Sequence, residues 1–266
     1  MPIIVLANQK GGVGKTTSCA TLGAALAEKG RRVLLVDFDP QASLTTSLGF
    51  DPDQIDPSIY AALSATLRDE PSPRLPDTIL ETQIGCDLIP SNISLSAAEP
   101  DLLTALSGET ILRELLDQLP EPYDYVLIDC LPSLGMLTIA ALAAADFVLI
   151  PLQAEFLPMR GLGLLLKTVH KVQAKLNPSL AVAGLFFTMV EPRTLHAQEV
   201  VESVRQVLGD HIRIFGAAVG RTVRLREAGV AGVTIIQYAP NHPVAEAYRQ
   251  LATELEQVAA PELQEA

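Results

Sequence analysis

The 266-residue sequence has no tryptophan, five tyrosines and seven phenylalanines. None of these aromatics interleaves the cations between Arg160 and Arg226 in the pattern that stacks bases, which disfavours single-stranded nucleic acid as a ligand. The three cysteines, Cys19, Cys86 and Cys130, are scattered without C-x-x-C spacing. That argues against a zinc site or disulfide framework and fits a reducing cytoplasm. Cys130, next to Asp129, is read as a small buried side chain and not as a cluster ligand. His170, His196, His211 and His242 lack metal-ligand spacing. The most apolar stretch, Leu137 to Leu152, is interrupted by Asp146 and Pro151, so a helix followed by a buried strand is expected there, and no membrane span. The first strand begins at once, and no secretion leader is expected. Glu254 to Ala266 is acidic, which rules out a basic amphipathic membrane anchor at that end.

What is present is a 48% hydrophobic chain with mean hydropathy +0.29, enough to bury the core of one α/β domain. Short runs apolar on both faces recur at Ile3–Ala7, Val33–Val36, Cys86–Ile89, Tyr125–Ile128, Phe147–Ile150, Ala181–Phe187 and Ile212–Phe215. Alternating with helical patterns, they indicate a doubly wound, predominantly parallel sheet flanked by helices. The proline-rich stretch 51–80 is expected as a surface excursion carrying a short helix near Ile59 to Leu67. A single domain is expected over 1–258, its last helix running from about Pro243 to Val258, with an acidic tail at 259–266.

After the first strand comes Gln9-Lys10-Gly11-Gly12-Val13-Gly14-Lys15-Thr16-Thr17. Gly11, Gly12 and Gly14 let consecutive backbone N–H groups turn inward around phosphate oxygens. A helix from Lys15 to about Lys29, stopped by Gly30, would place that cradle at its positive N-terminus. In such a P-loop Lys15 reaches the β- and γ-phosphates and the Thr16 hydroxyl ligates Mg²⁺, with Val13 and Thr17 completing the nucleotide-binding stretch. The generic spacing fails, however, because Gln9 stands where the first glycine belongs. Lys10 is then one cation too many for the cradle, and repulsion from Lys15 should send it elsewhere.

Two carboxylate motifs follow in order. Leu34-Leu35-Val36-Asp37-Phe38-Asp39-Pro40-Gln41 puts Asp37 and Asp39 past a strand's C-terminal end, the ligand-binding edge of a doubly wound sheet. Tyr125-Val126-Leu127-Ile128-Asp129 ends four apolar residues in a carboxylate suited to Mg²⁺, usually through water.

Lys10 to Thr16 resembles the deviant Walker A motif of the ParA/MinD family of ATPases, a P-loop NTPase type. Ala7-Asn8-Gln9, Val36 to Gln41, Ile128 to Gly135, Thr188-Met189 and Arg221 to Ala228 resemble its ParA/Soj branch in the same order. The resemblance implies ATP with Mg²⁺ as cofactors and a homodimer formed with ATP. Lys10 would cross to the partner's nucleotide, with Lys15 and Asp39 as the other catalytic residues. Asp39 would orient the attacking water, and Asp37 and Asp129 would stand in the metal's outer shell, although the roles of Asp37 and Asp39 are interchangeable at this level. Met189 and Arg221 fall near where the family contacts the nucleotide base. The departures are Leu131, where the family usually has proline, and Ala218 to Thr222.

The resemblance also implies non-specific binding of double-stranded DNA through Arg193, Arg221 and Arg224, and a ParB-like or cargo-adaptor partner that stimulates an otherwise slow hydrolysis. A cytoplasmic, nucleoid-associated location and no membrane partner go with it. The cargo would be a chromosome or plasmid, or in other relatives a carboxysome or chemoreceptor cluster. A metabolic ATP-dependent enzyme of the same fold is the alternative. Net charge −12 and pI 4.7 oppose DNA binding taken as a sum. Yet Arg160 to Arg226 holds ten Lys/Arg against four Asp/Glu, a local +6 that leaves −18 for the remainder. Distribution governs a binding field, although Lys167, Lys171 and Lys175 also suit an ordinary solvated helix face and Arg224 could brace the fold.

Overall fold

Strands apolar on both sides are stable only between two helical layers, and the chain builds that arrangement. The computed structural model describes residues 1–119, 123–154, 159–191 and 195–259. In chain order the elements are β1 (Ile3–Leu6), α1 (Lys15–Glu28), β2 (Val33–Phe38), α2 (Ser43–Ser47), α3 (Ile59–Leu67), β3 (Leu80–Glu81), β4 (Asp87–Ile89), α4 (Ala98–Thr104) and α5 (Ile111–Leu116). They continue with β5 (Tyr125–Cys130), α6 (Met136–Ala144), β6 (Phe147–Gln153), α7 (Met159–Lys175), β7 (Ala181–Val190), α8 (Leu195–Leu208), β8 (Ile214–Gly220), α9 (Arg224–Val230), α10 (Ile235–Tyr238) and α11 (Pro243–Ala259).

One eight-stranded sheet has the order β3-β4-β2-β5-β1-β6-β7-β8, parallel throughout except for the short antiparallel edge strand β3. Strand alternation sorts β1 between two cores. Ile3 and Val5 join the apolar cluster shared with α3 to α7, whereas Ile4 and Leu6 join the cluster formed with α1, α10 and α11. Each helical layer therefore has its own buried face, as expected of a doubly wound sheet. The order places β1 between β5 and β6, so the segment leaving β1 emerges at the middle of the sheet's C-terminal edge.

Two expectations change in detail. The final strand begins at Ile214 and runs to Gly220, starting two residues later and ending five residues later than the apolar run Ile212–Phe215 indicates. Small residues fill that extension, with Phe215, Ala217 and Val219 buried and Gly216 and Ala218 exposed, a half-buried edge pattern that hydropathy alone reads weakly. The stretch 51–80 holds the expected helix, and it is more than a surface excursion: Ile59, Ala62, Leu63 and Leu75 are completely buried in the first core.

Gly184 marks a close approach of neighbouring strands in the sheet. Its φ is +146°, and an added Cβ would lie 2.6 Å from the Arg213 carbonyl oxygen and 2.8 Å from Phe215 Cε2. The β6–β7 register shifts at the same level, between Val148 and Leu149. Gly184→Ala is expected to destabilise the fold by about 1–3 kcal/mol through backbone strain and overpacking. At roughly 2–4 °C per kcal/mol for a chain of this size, thermal unfolding of the variant should show a clear drop in midpoint.

Candidate functional site

The segment leaving β1 is anchored from several sides. The Asn8 amide donates to the Pro151 carbonyl at 2.7 Å, and its oxygen accepts the Lys10 N–H at 2.9 Å. The Thr188 hydroxyl donates to the Val13 carbonyl at 2.9 Å, and Ser18 and Tyr248 share a buried hydroxyl–hydroxyl bond of 2.9 Å. Gly12 and Gly14 adopt φ of +73° and +85°, a left-handed region natural to glycine. Gly14 is the N-cap of α1 and supplies no side-chain cap, so the first N–H groups of that helix remain available to an anion.

The two lysines part company. Lys15 is buried at 7% exposure, whereas Lys10 is exposed and its Nζ donates to Gln153 Oε1 at 3.1 Å, at the end of β6. Charge repulsion in one cradle is relieved by separating them.

The parallel register then gathers the carboxylates. Asp37 on β2 lies opposite Asp129 on β5, and Leu6 at the end of β1 is opposite Asp129 on the other side. Asp37 is fully buried, and its oxygens accept the Thr45 N–H at 2.8 Å, the Thr45 hydroxyl at 2.7 Å and the Asp39 N–H at 3.3 Å. Burial pushes it up to about 6 against those bonds. Asp39 is 8% exposed, and one of its oxygens accepts the Gln41 N–H at 2.9 Å.

Asp129 is 1% exposed, and neither carboxylate oxygen has a hydrogen-bond partner. Burial first, then the nearby Asp37 charge, push it up to about 8. The Thr16 hydroxyl and the Lys15 ammonium pull the other way, the hydroxyl close enough to bias the proton but outside hydrogen-bond geometry. A carboxylate left unpaired at that depth is expensive unless a cation completes it.

Lys15, Thr16, Asp37, Asp39 and Asp129 are thus brought to one edge of the sheet. Met189, the penultimate residue of β7, has φ +53°, an uncommon value for a residue with a side chain. Arg221 follows the edge strand β8 directly, and Arg224 opens α9. Both are exposed and carry ion pairs, Arg221 to Glu191 at 3.2 Å and Arg224 to Glu227 at 2.8 Å. Arg193 lies outside the described residues. Among the described residues no cluster of His, Cys, Asp and Glu has metal-site geometry of its own. The sequence assigns no site role to Thr45, Thr188 or Tyr248. Thr45 and Tyr248 lie in no motif, and only the position of Thr188 beside Met189 gave it any signal.

Comparison with known proteins bears on this constellation. Residues 1–182 match a family model described as an AAA domain. The sporulation initiation inhibitor protein Soj of Bacillus subtilis is 42% identical over 95% of this chain and 97% of its own length. A structure of cobyrinic acid a,c-diamide synthase from Mycobacterium smegmatis with bound ATP analog and magnesium superposes with TM-score 0.83 at 38% identity, covering 95% of this chain and 93% of that one. The putative plasmid partition protein of Borrelia burgdorferi B31 bound to AMPPNP gives TM-score 0.78 at 27% identity, over 96% and 98% of the two chains. With the phosphate loop and both aspartate motifs in place on the matching fold, the chain belongs to the ParA/Soj branch of the ParA/MinD family, P-loop ATPases that use ATP and Mg²⁺.

Proposed function

We propose that the chain is a partition or positioning ATPase that dimerises on ATP, binds double-stranded DNA without sequence preference, and lets go when a partner protein stimulates hydrolysis. The observation that carries this reading is Lys10, an exposed lysine of the phosphate loop held by Gln153, away from the cradle that Lys15 serves. A lysine at the surface, outside the cradle of its own loop, is placed where a second subunit can meet it.

The residues fit ATP and Mg²⁺ because Asp129 is an unpaired buried carboxylate beside Thr16 and Lys15. The hydroxyl of Thr16 would ligate Mg²⁺ directly, with Asp37 and Asp129 in the outer shell, as the ion's reluctance to shed water favours. Bound there, ATP and Mg²⁺ supply the transferable phosphoryl group and part of the charge neutralisation. Gly11 to Thr17 provide the nest, and Lys15 holds the phosphates. Asp37 is committed to Thr45, which leaves Asp39, nearer the surface, as the better candidate to orient water. Lys10 from the opposite subunit would neutralise charge that develops in a site closed by dimerisation. Met189 and Arg221 are assigned to the base side of the nucleotide.

Arg193, Arg221 and Arg224 are the proposed DNA contacts. Exposed ion pairs such as Arg221–Glu191 and Arg224–Glu227 contribute on the order of 0–1 kcal/mol, so phosphates can displace the glutamates. About three contacts per subunit would neutralise on the order of six phosphates in a dimer, with steep loss of affinity as salt rises. We place the protein in the cytoplasm on the nucleoid, as a single domain over 1–258; among the described residues no helix is long and apolar enough to cross a membrane. A chromosome or plasmid is the proposed cargo, and a ParB-like protein or cargo adaptor the partner.

The mycobacterial synthase structures favour a second reading, ATP-dependent amidation of a small carboxylic acid. If glutamine were the nitrogen source, a thiolate nucleophile would be the common device. Cys19, Cys86 and Cys130 are all buried, and burial pushes the Cys86 and Cys130 thiols up to about 12 and Cys19 well above its usual value. Turnover that depends on a small acceptor would establish this alternative.

Three outcomes are expected. In co-sedimentation, duplex DNA should carry down the protein with ATP but not with ADP or without nucleotide. Lys10→Ala should lose both the ATP dimer and the DNA, and Arg224→Glu the DNA alone. Asp39→Ala should keep the ATP dimer and DNA binding while partner-stimulated phosphate release falls at least about 100-fold. Asp129→Asn should unfold several degrees higher than the parent without nucleotide, yet gain less stability from Mg²⁺ and ATP. The sign follows from linkage: a carboxylate raised in the folded state has its full stability below the unfolded pKa of about 4, and loses it as pH rises towards about 8. The advantage of the asparagine variant in thermal scans should therefore grow across that window.

A further inference from the structure

Thr188 has no place in the machinery described so far, yet it makes a buried contact to the phosphate loop. At 2% exposure, its hydroxyl donates to the Val13 carbonyl at 2.9 Å, across 175 positions of sequence. Val13 is itself 1% exposed, so its carbonyl needs a partner inside the protein.

The consequence follows from peptide geometry. The Val13–Gly14 bond is trans, and in a planar trans peptide the C=O and N–H point to opposite sides. A hydroxyl on β7 that holds the Val13 carbonyl must turn the Gly14 N–H away from β7, towards the side where Gly12 and Gly14 form the nest. Glycine at φ +85° is free to occupy other conformations as readily, so the residue that makes the nest possible also leaves this peptide able to rotate. Thr188 removes that freedom. Its own position is secured by pairing, since Thr188 lies opposite Gln153 in the β6–β7 register. Gln153 holds Lys10 and Thr188 holds Val13, so neighbouring strand ends grip the loop at two points.

We propose that Thr188 is a positioning residue of the ATP site, which through the Val13 carbonyl aims the Gly14 N–H at a nucleotide phosphate. This rests on residues 10–17 being the ATP cradle, and it adds the residue that sets the direction of one cradle donor.

Titration of Mg·ATP by calorimetry tests it with two substitutions of similar shape. Thr188→Val, which keeps the volume and removes the donor, should weaken binding about ten-fold, whereas Thr188→Ser should stay within about two-fold of the parent. The proposal is overturned if Thr188→Val binds like the parent, or if Thr188→Ser is as weak as Thr188→Val, which would make the role one of packing. Lys15→Ala is the control for the cradle: if that variant bound Mg·ATP normally, the cradle itself would be misplaced. Should Thr188→Val not fold, the unsubstituted chain decides, because its Gly14 amide proton should move downfield in NMR spectra on addition of Mg·ADP. An unmoved Gly14 resonance would rule the proposal out.

Discussion

The buried, unpartnered carboxyl group of Asp129 is the constraint around which the site is arranged. A carboxylate with 1% exposure and no hydrogen bond is unfavourable in the free chain, and a second carboxylate, Asp37, faces it from the next strand. Ordinary folding would remove such a pair. Here the parallel register imposes it, because β2, β5 and β1 end close together and the penultimate residues of β2 and β5 are acidic. Thr45 satisfies Asp37 through two hydrogen bonds, which leaves Asp129 as the unsatisfied member. The imbalance makes the site a receptor for a cation that arrives with an anionic ligand, since the N-terminus of α1 lies at the same edge.

Much of this is legible in the sequence. Glycines at 11, 12 and 14 and lysine at 15 carry local signals, because the nest and the helix start are made from adjacent residues. Asp37 and Asp129 were legible for a similar reason, each closing an apolar strand. Thr45 and Thr188 were not legible as site residues, since their roles depend on contacts that no local pattern encodes; the Thr188–Val13 bond spans 175 positions. The extension of β8 was hidden by Gly216 to Gly220, where small residues lower hydropathy even though alternate positions are buried. Core membership of Ile59 and Leu63 was masked by the surrounding prolines and acids, which read as surface.

Charge is sorted on a larger scale than the site. Lys167, Lys171 and Lys175 are exposed at four-residue spacing along α7, and Arg221 and Arg224 are exposed near the end of β8. Acidic residues dominate elsewhere, and several are used in packing: Glu28 and Glu256 tie α1 to α11 through Arg249, Lys29 and Arg31. The negative total therefore includes carboxylates engaged in ion pairs remote from the basic region, and net charge alone is a poor guide to which surface meets an anion.

The basic edge and the nucleotide cradle are also close in structure. The Val190 carbonyl accepts the Arg221 N–H at 3.2 Å, and two residues earlier Thr188 bonds to Val13. Between them Met189 takes a left-handed conformation that its side chain disfavours. A short run at the end of β7 thus touches both the phosphate loop and the backbone of an exposed arginine. Displacement of that arginine's backbone would have to be absorbed within three residues, one already strained, or passed to the loop.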